Sequence, residues 1–257
     1  MRTAAICGLA AAIGAIFQTP VGGGIFAVEI MQRKSMGYRD LFPAILSSAT
    51  AAFLSWILGL GTDYAFSVPH AFMEVRMIGW LVALSVLVGL MGGLYTRMYA
   101  FIRRLIRRER GRVLLKVVIG TLIASSIAWA INPALMGTSK SLLHAVFLGN
   151  DGLLFGRLPQ RFSPGWMMIA LFFIKALCNC ITVVSGMSAG FTGPAVIMGS
   201  LLGAGFTTLI GIPRAGPTYY AFIAGALTAI VGFQVNRHFT LYDFALAGSG
   251  RKTDTSI

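Results

Sequence analysis

One uncharged stretch, running from Ala176 to Pro213, constrains the fold of this chain more than any other feature. It is too long for one straight membrane span, because about 20 apolar residues are enough to cross a bilayer. Glycines and Pro194 lie in its middle, and proline is well tolerated in the first turn of a helix, where its missing N–H is not needed. The sequence therefore predicts one helix that ends near Val184, a glycine-rich turn, and a second helix from Pro194 to about Leu209.

The predicted turn carries the sequence SGMSAGFTGP and would lie at membrane depth. Non-helical backbone persists there only where it is buried in protein or lines a watery cavity. A helix start exposes unpaired N–H groups and the positive end of the helix dipole, which together favour an anion. We therefore predict an anion site with the amides near Phe191 and Thr192 as donors and the Thr192 hydroxyl as a further donor. Gly190 and Gly193 would let the backbone approach the ion closely, and Pro194 would begin the helix.

The same glycines also allow a purely structural interpretation. The pairs Gly186/Gly190 and Gly199/Gly203 fit the small-xxx-small pattern of helix contacts in membranes. On this interpretation the turn holds no ligand, and the residues alone leave both alternatives open.

The composition assigns the chain to the integral membrane proteins. Hydrophobic residues make up 56% and charged residues 11% of the sequence, and the mean hydropathy is +0.79. The net charge of +13 comes from basic residues that gather between apolar spans, as membrane topology predicts, so we expect no nucleic-acid partner. The spacing of the cysteines predicts no metal site. Because no catalytic cluster of side chains is found, we expect neither an enzyme nor a cofactor.

The apolar runs predict an all-α, multi-pass membrane protein with broken helices. The first run breaks at Pro20 into a helix over about Thr3–Phe17 and a shorter one, and we expect this run to be retained rather than cleaved as a signal peptide. The shorter helix would be entered through Val21–Gly24 and would reach Glu29. Further apolar segments are predicted over Leu41–Leu60, Met77–Tyr95 with an extension toward Ile106, Val117–Ser139, Gly165–Val184 and Thr218–Phe233. A short helix is predicted over Leu142–Leu148, followed by a loop over Gly149–Pro164.

The charged segments between the spans predict the orientation of the chain. Two basic segments, Arg33–Arg39 and Arg103–Lys116, are expected on the cytoplasmic side, with the Asp63–Arg76 loop outside. The polar residues 234–257 are predicted to form a tail outside the fold, which leaves residues 1–233 as the transmembrane domain.

Ionisable residues in apolar segments are candidates for function. Glu29 is a candidate gating acid, and the alternative is a helix cap or an ion pair with Arg33 or Lys34. Lys175 interrupts a predicted span, where a buried lysine costs roughly 2.5–3.5 kcal/mol on insertion scales. It should face protein or water, either as a cation that raises the anion concentration in a pathway or as a member of a structural ion pair. His144 is a lone histidine, which favours a structural role.

Two motifs give the chain a resemblance to the CLC family of chloride channels and chloride/proton antiporters. Ser185–Pro194 resembles the Gly-x-Phe-x-Pro element of that family and begins a similar helix. Gln18–Glu29 resembles the family's Pro-x-x-Gly-x-x-Phe-x-x-Glu helix, and the order and separation of the two motifs also fit. The similarity covers about residues 1–233. A weak echo between Gly14–Gln18 and Ile230–Gln234 is consistent with an incomplete inverted repeat.

The resemblance implies a CLC-like fold with re-entrant helices and chloride held by the backbone amides of Phe191 and Thr192. It also implies a homodimer in a lipid bilayer with one pore per subunit. Part of the dimer surface would come from Val21–Glu29 and from the Leu41–Leu60 span. The expected location is the plasma membrane of a prokaryote.

The sequence also departs from the family pattern. Thr192 stands where the family has a central phenylalanine, with Phe191 one place earlier. Ile30 stands where antiporters carry a second glutamate, which favours a channel or an uncoupled carrier. We find no Gly-Ser-Gly-Ile-Pro-like element, no Gly-Lys/Arg-Glu-Gly-Pro-like element with its gating glutamate, and no late helix with a pore tyrosine. We therefore expect a fragment that carries no robust chloride flux alone.

Two other functions stay open on the sequence alone. An unrelated multi-pass carrier could use glycine-broken helices to bind a carboxylate or another organic anion. A non-transporting membrane subunit would need no anion site at all.

Overall fold

The structure is a computed structural model that describes residues 2–31, 38–60, 75–107, 113–137, 139–158, 162–187, 192–214 and 216–231. The elements in these ranges are helices joined by turns, which confirms the predicted all-α class. The chain forms two compact units, a first unit over Met1–Ser67 and a second unit over Val68–Ile257.

The described part of the first unit contains α1 (Arg2–Phe17), α2 (Pro20–Met31) and α3 (Tyr38–Ile57). The backbone leaves α1 at Gln18, whose φ of 51° lies in the left-handed region, and α2 begins at Pro20. The predicted break at this proline is therefore confirmed. A small buried core joins the three helices and consists of Ile6, Ala10, Ala27, Val28 and Ala44.

The glycines after Pro20 correct one prediction. The sequence places Val21–Gly24 before the second helix, whereas the structure places these residues inside α2. A Cβ on Gly23 would lie 2.5 Å from Ser48 Oγ, and one on Gly24 would lie 2.6 Å from Ile45 Cα. The glycines thus let α2 approach α3 closely, and we attribute their place in the helix to this packing, which outweighs the helix-propensity penalty of about 1 kcal/mol for glycine.

Serine hydroxyls on α3 also bond to carbonyl oxygens of α1. Ser47 Oγ donates to the Cys7 carbonyl at 2.9 Å, and Ser55 Oγ donates to the Ala15 carbonyl at 3.4 Å. Hydroxyls that find acceptors in this way can be buried without leaving an unsatisfied polar group. Because hydrogen bonds depend on orientation, these bonds help to fix the position of α3 against α1.

The described part of the second unit is organised around one long helix, α8 (Pro164–Val184). The remaining helices of the unit are α4 (Val75–Arg107), α5 (Val113–Ile131), α6 (Lys140–Leu148), α7 (Asp151–Phe155), α9 (Thr192–Leu209) and α10 (Pro217–Val231), with a 3-10 turn at Pro133–Leu135. Helix α8 packs against α4, α5 and α9.

The segment between α5 and α8 is more structured than the sequence predicts. The predicted span Val117–Ser139 ends at Ile131, because Asn132 precedes a proline and takes an extended conformation. The predicted loop Gly149–Pro164 contains α7, which the Asn150 side chain caps by accepting a bond from the Leu153 amide. Both differences come from asparagine caps, which are local signals that hydropathy does not register.

Four described helical segments are long and apolar enough to cross a membrane. They are Arg39–Ile57, Met77–Ile106, Leu114–Ile131 and Pro164–Val184, which correspond to four of the predicted spans. Shorter apolar helices include Gly193–Leu209 and Pro217–Val231. The predicted orientation stays a prediction, because Arg33, Lys34 and most of the Asp63–Arg76 loop lie outside the described residues. The same holds for the predicted tail at 234–257 and for its boundary with the transmembrane domain.

Candidate functional site

The predicted break in the uncharged stretch is present. Helix α8 ends at Val184, and the next amides fold back onto its last turn, with Gly186 N–H donating to the Val183 carbonyl at 3.1 Å. Gly186 has a φ of +101°, which glycine adopts without strain and which a continuous helix cannot contain. Helix α9 begins at Thr192, two residues before the predicted start at Pro194.

The predicted anion-binding residues are only partly described. Gly193 and Pro194 lie in the first turn of α9, whereas Gly190 and Phe191 lie outside the described residues, as does the side chain of Thr192. A Cβ added to Gly193 would meet no heavy atom within 4 Å, so there is open space beside this turn. The helix start and the free space are therefore in place, and binding by the Phe191 and Thr192 amides stays a prediction.

Lys175 lies in the middle of α8 and is only 4% exposed. Its ammonium nitrogen, Nζ, donates to the carbonyl oxygens of Leu135 at 2.7 Å and Gly137 at 2.8 Å. It also donates to Ser139 Oγ at 2.7 Å. An ammonium group has three donors, so every one of them is used. The partners are neutral oxygen atoms rather than the carboxylate of an ion pair.

The turn that Lys175 binds is strained. Ser139 has a φ of 54° and is 3% exposed, and Gly137 has a φ of 59°. A left-handed conformation at a residue other than glycine costs of order 1–3 kcal/mol and persists only when its surroundings hold it in place. The bonds from Lys175 therefore connect the middle of α8 to the turn between α5 and α6.

A cavity of about 360 Å³ adjoins both Lys175 and the start of α9. Most of its wall is apolar, and the polar side chains on the wall come from α5 and α8. Pro194, in the first turn of α9, also borders it. The lining residues are Ala124, Ser125, Ala128, Leu135, Met136, Gly137, Lys175, Cys178, Asn179, Thr182 and Pro194.

Asn179 is a polar residue of this site that the sequence analysis missed. It is 6% exposed, and its amide nitrogen donates to Tyr95 Oη on α4 at 2.9 Å. Asn179 and Lys175 are four residues apart on α8, so their side chains lie on one face of the helix. Two polar residues four positions apart in an apolar span are the sequence pattern that could have identified Asn179 as part of the site.

The other ionisable candidates from the sequence are Glu29 and His144. Glu29 is exposed near the C-terminal end of α2 in the first unit, and its suggested partners Arg33 and Lys34 lie outside the described residues. His144 is half-buried on α6. Among the described residues no group of three or more His, Cys, Asp or Glu side chains could hold a metal ion.

Comparisons with known proteins agree on one family. The family model described as voltage gated chloride channel matches residues 1–245. An uncharacterized protein of Methanocaldococcus jannaschii is 25% identical over 207 residues, which are 80% of this chain and 49% of that protein. The voltage-gated ClC-type chloride channel ClcB of Escherichia coli O81 is 26% identical over 214 residues, which are 80% of this chain and 46% of that protein. The chain thus spans about half the length of these relatives.

A solved structure supports the fold. The crystal structure of a CLC-type fluoride/proton antiporter matches with a TM-score of 0.71 and 21% identity, over 89% of this chain and 53% of the other. At that identity the match concerns the fold alone, and it agrees with the CLC-like architecture expected from the sequence.

Proposed function

The chain belongs to the voltage gated chloride channel family, and from this premise we propose that it takes part in transporting chloride or another small anion across a membrane. The observation that carries the proposal is the start of α9 at Thr192, inside a stretch without charged residues. The activity is proposed for the whole protein, since the relatives are about twice as long as this chain. Relatives from a bacterium and an archaeon support a prokaryotic plasma membrane as its location.

The mechanism rests on backbone N–H groups. An anion that enters the protein would lose part of its hydration shell and be held by the amides at the start of α9, near Phe191 and Thr192. The interaction must be weak enough for the ion to leave again. The ammonium group of Lys175 would raise the local concentration of anions without donating a bond to them, because its hydrogens are already used.

We also propose that two copies of the chain form a dimer through the first unit. Large apolar side chains on α2 and α3 are exposed in the described structure, and contiguous exposed apolar surface marks a contact with protein or lipid. Light scattering of the purified protein in detergent should give twice the mass of one chain, and a monomer at all concentrations would contradict the dimer. The exposed side chains are Val21, Ile25, Phe42, Leu46, Phe53, Leu54 and Trp56.

Halides should stabilise the protein against heat more than organic anions do at equal ionic strength. This follows if the ligand is a small ion that fits among backbone amides, because a ligand that binds only the folded state raises its stability. Gly190→Val should reduce the halide effect, since a branched side chain in the turn would obstruct the approach of the backbone to the ion. The measurement is the melting temperature of the purified chain against halide concentration.

The matched control is Gly89→Val on α4. Gly89 is exposed, and a Cβ there meets no heavy atom within 4 Å. This variant should keep the halide response of the wild type. An unchanged halide response in Gly190→Val would contradict the site, and selective stabilisation by organic anions would favour the alternative carrier.

A further inference from the structure

We propose that the cavity beside Lys175 and Asn179 binds a monovalent anion of halide size, together with water, as the counter-ion of the buried lysine. The groups proposed to hold this anion are side chains, not the backbone amides near Phe191 and Thr192. The site rests on side chains of α8 and does not depend on the transport proposed above.

The bonds of Lys175 are those of a charged ammonium group. Three acceptors within 2.8 Å match the three donors of an ammonium group, whereas a neutral amine has fewer hydrogens to donate. All three acceptors are uncharged, so the bonds satisfy the donors without supplying a negative charge. Among the described residues of the second unit the one carboxylate is Asp151, and it pairs with Arg214. A buried charge in this state is costly, and an anion nearby would offset the cost.

The cavity wall also carries a free hydrogen-bond donor. One amide hydrogen of Asn179 goes to Tyr95 Oη, and no described residue accepts the other. Asn179 lines the same cavity as Lys175, one helical turn away, at a Cβ separation of about 5–6 Å. The Ser125 hydroxyl, on the α5 side of the cavity, is a further group that can donate.

The cavity also has room for an ion. A water molecule needs only about 10–15 Å³ of cavity volume. A cavity of about 360 Å³ therefore holds an anion and several waters. Retained water supplies hydrogen bonds that Lys175 cannot, and the ammonium group acts through its charge. Pro194 borders the cavity, so the positive end of the α9 dipole adds to the attraction.

The decisive variant is Asn179→Asp, which has nearly the same shape and carries its own negative charge. Its carboxylate would lie one turn from Lys175 and take the place of the bound anion. In the Gly190→Val background, which weakens the position at the α9 amides, calorimetric titration with bromide should show affinity at least about tenfold weaker for Asn179→Asp than for the chain that retains Asn179. The melting temperature without halide should at the same time rise, because the lysine has gained a permanent partner.

Lys175→Met should also lose bromide affinity, and Lys140→Met is its matched control. Lys140 is an exposed lysine on α6 and does not line the cavity, so its loss removes the same net charge from outside the lining. If Lys175→Met does not fold, the bromide affinity of Asn179→Asp tests the proposal, since that variant keeps every hydrogen bond of Lys175.

Three results would overturn the proposal. They are a wild-type chain that does not bind bromide, bromide affinity in the Gly190→Val background that Asn179→Asp leaves unchanged, and affinity lost in Lys140→Met as fully as in Asn179→Asp. Bromide binding that disappears in Gly190→Val and persists in Asn179→Asp would assign the ion to the start of α9 alone. That outcome refutes the second position and leaves the proposed function standing.

Discussion

Replacing Gly199 by valine is expected to destabilise the second unit by about 3 kcal/mol, near the upper end for overpacked interiors. A Cβ at this position would lie 2.9 Å from the backbone nitrogen of Leu227 and 3.0 Å from the carbonyl oxygen of Ala226. Both atoms belong to the backbone of α10, so no side-chain rotation relieves the clash and α9 and α10 must move apart. Unfolding in mixed micelles with increasing SDS, followed by circular dichroism, should show a lower midpoint.

Gly225→Val on α10 is the matched control for that experiment. Gly225 is exposed, and a Cβ there has no neighbour within 4 Å. Its midpoint should stay close to that of the wild type. Equal midpoints for Gly199→Val and Gly225→Val would mean that the close contact between α9 and α10 is absent.

Replacing Lys175 by methionine is expected to lower the free energy of unfolding by about 2–4 kcal/mol. Hydrogen bonds to a charged group contribute about 1.5–3 kcal/mol each, and their loss is partly offset because the variant no longer buries a charge. Methionine keeps the length of the side chain and donates nothing to Gly137, whose carbonyl would lose its bond to the ammonium group. The left-handed turn at Ser139 would lose its support from α8. The same SDS titration measures the loss.

Lys140→Met again provides the comparison, because Lys140 is exposed and its removal changes the net charge equally. Hydrogen exchange at residues 135–139 should accelerate in Lys175→Met and stay unchanged in Lys140→Met. Exchange that is equally slow in both variants would contradict the role of Lys175 in holding the turn.

The sequence predicts the main helices and the break between α8 and α9, because both follow from hydropathy and from the backbone chemistry of glycine and proline. Pro194 and Gly186 have strong local preferences that tertiary packing does not reverse. The start of α9 shifts by two residues to Thr192, so Pro194 lies inside the first turn of the helix.

Features that depend on contacts between distant residues could not be predicted in the same way. The glycines of α2 are helical because Ser48 and Ile45 of α3 lie against them. The partners of Lys175 come from a turn about 40 residues earlier in the chain, and hydropathy indicates only that a buried lysine needs partners. Asn179 was missed for a similar reason, since its partner Tyr95 is on another helix.

The measurement that tests the central claim most directly is anomalous diffraction from crystals of the protein grown in bromide. We expect an anomalous peak in contact with the backbone amides of Phe191 and Thr192, at a helix that begins after the glycine-rich turn. An ordered map without a peak at these amides, or one continuous helix from Met187 through Gly199, would contradict the claim.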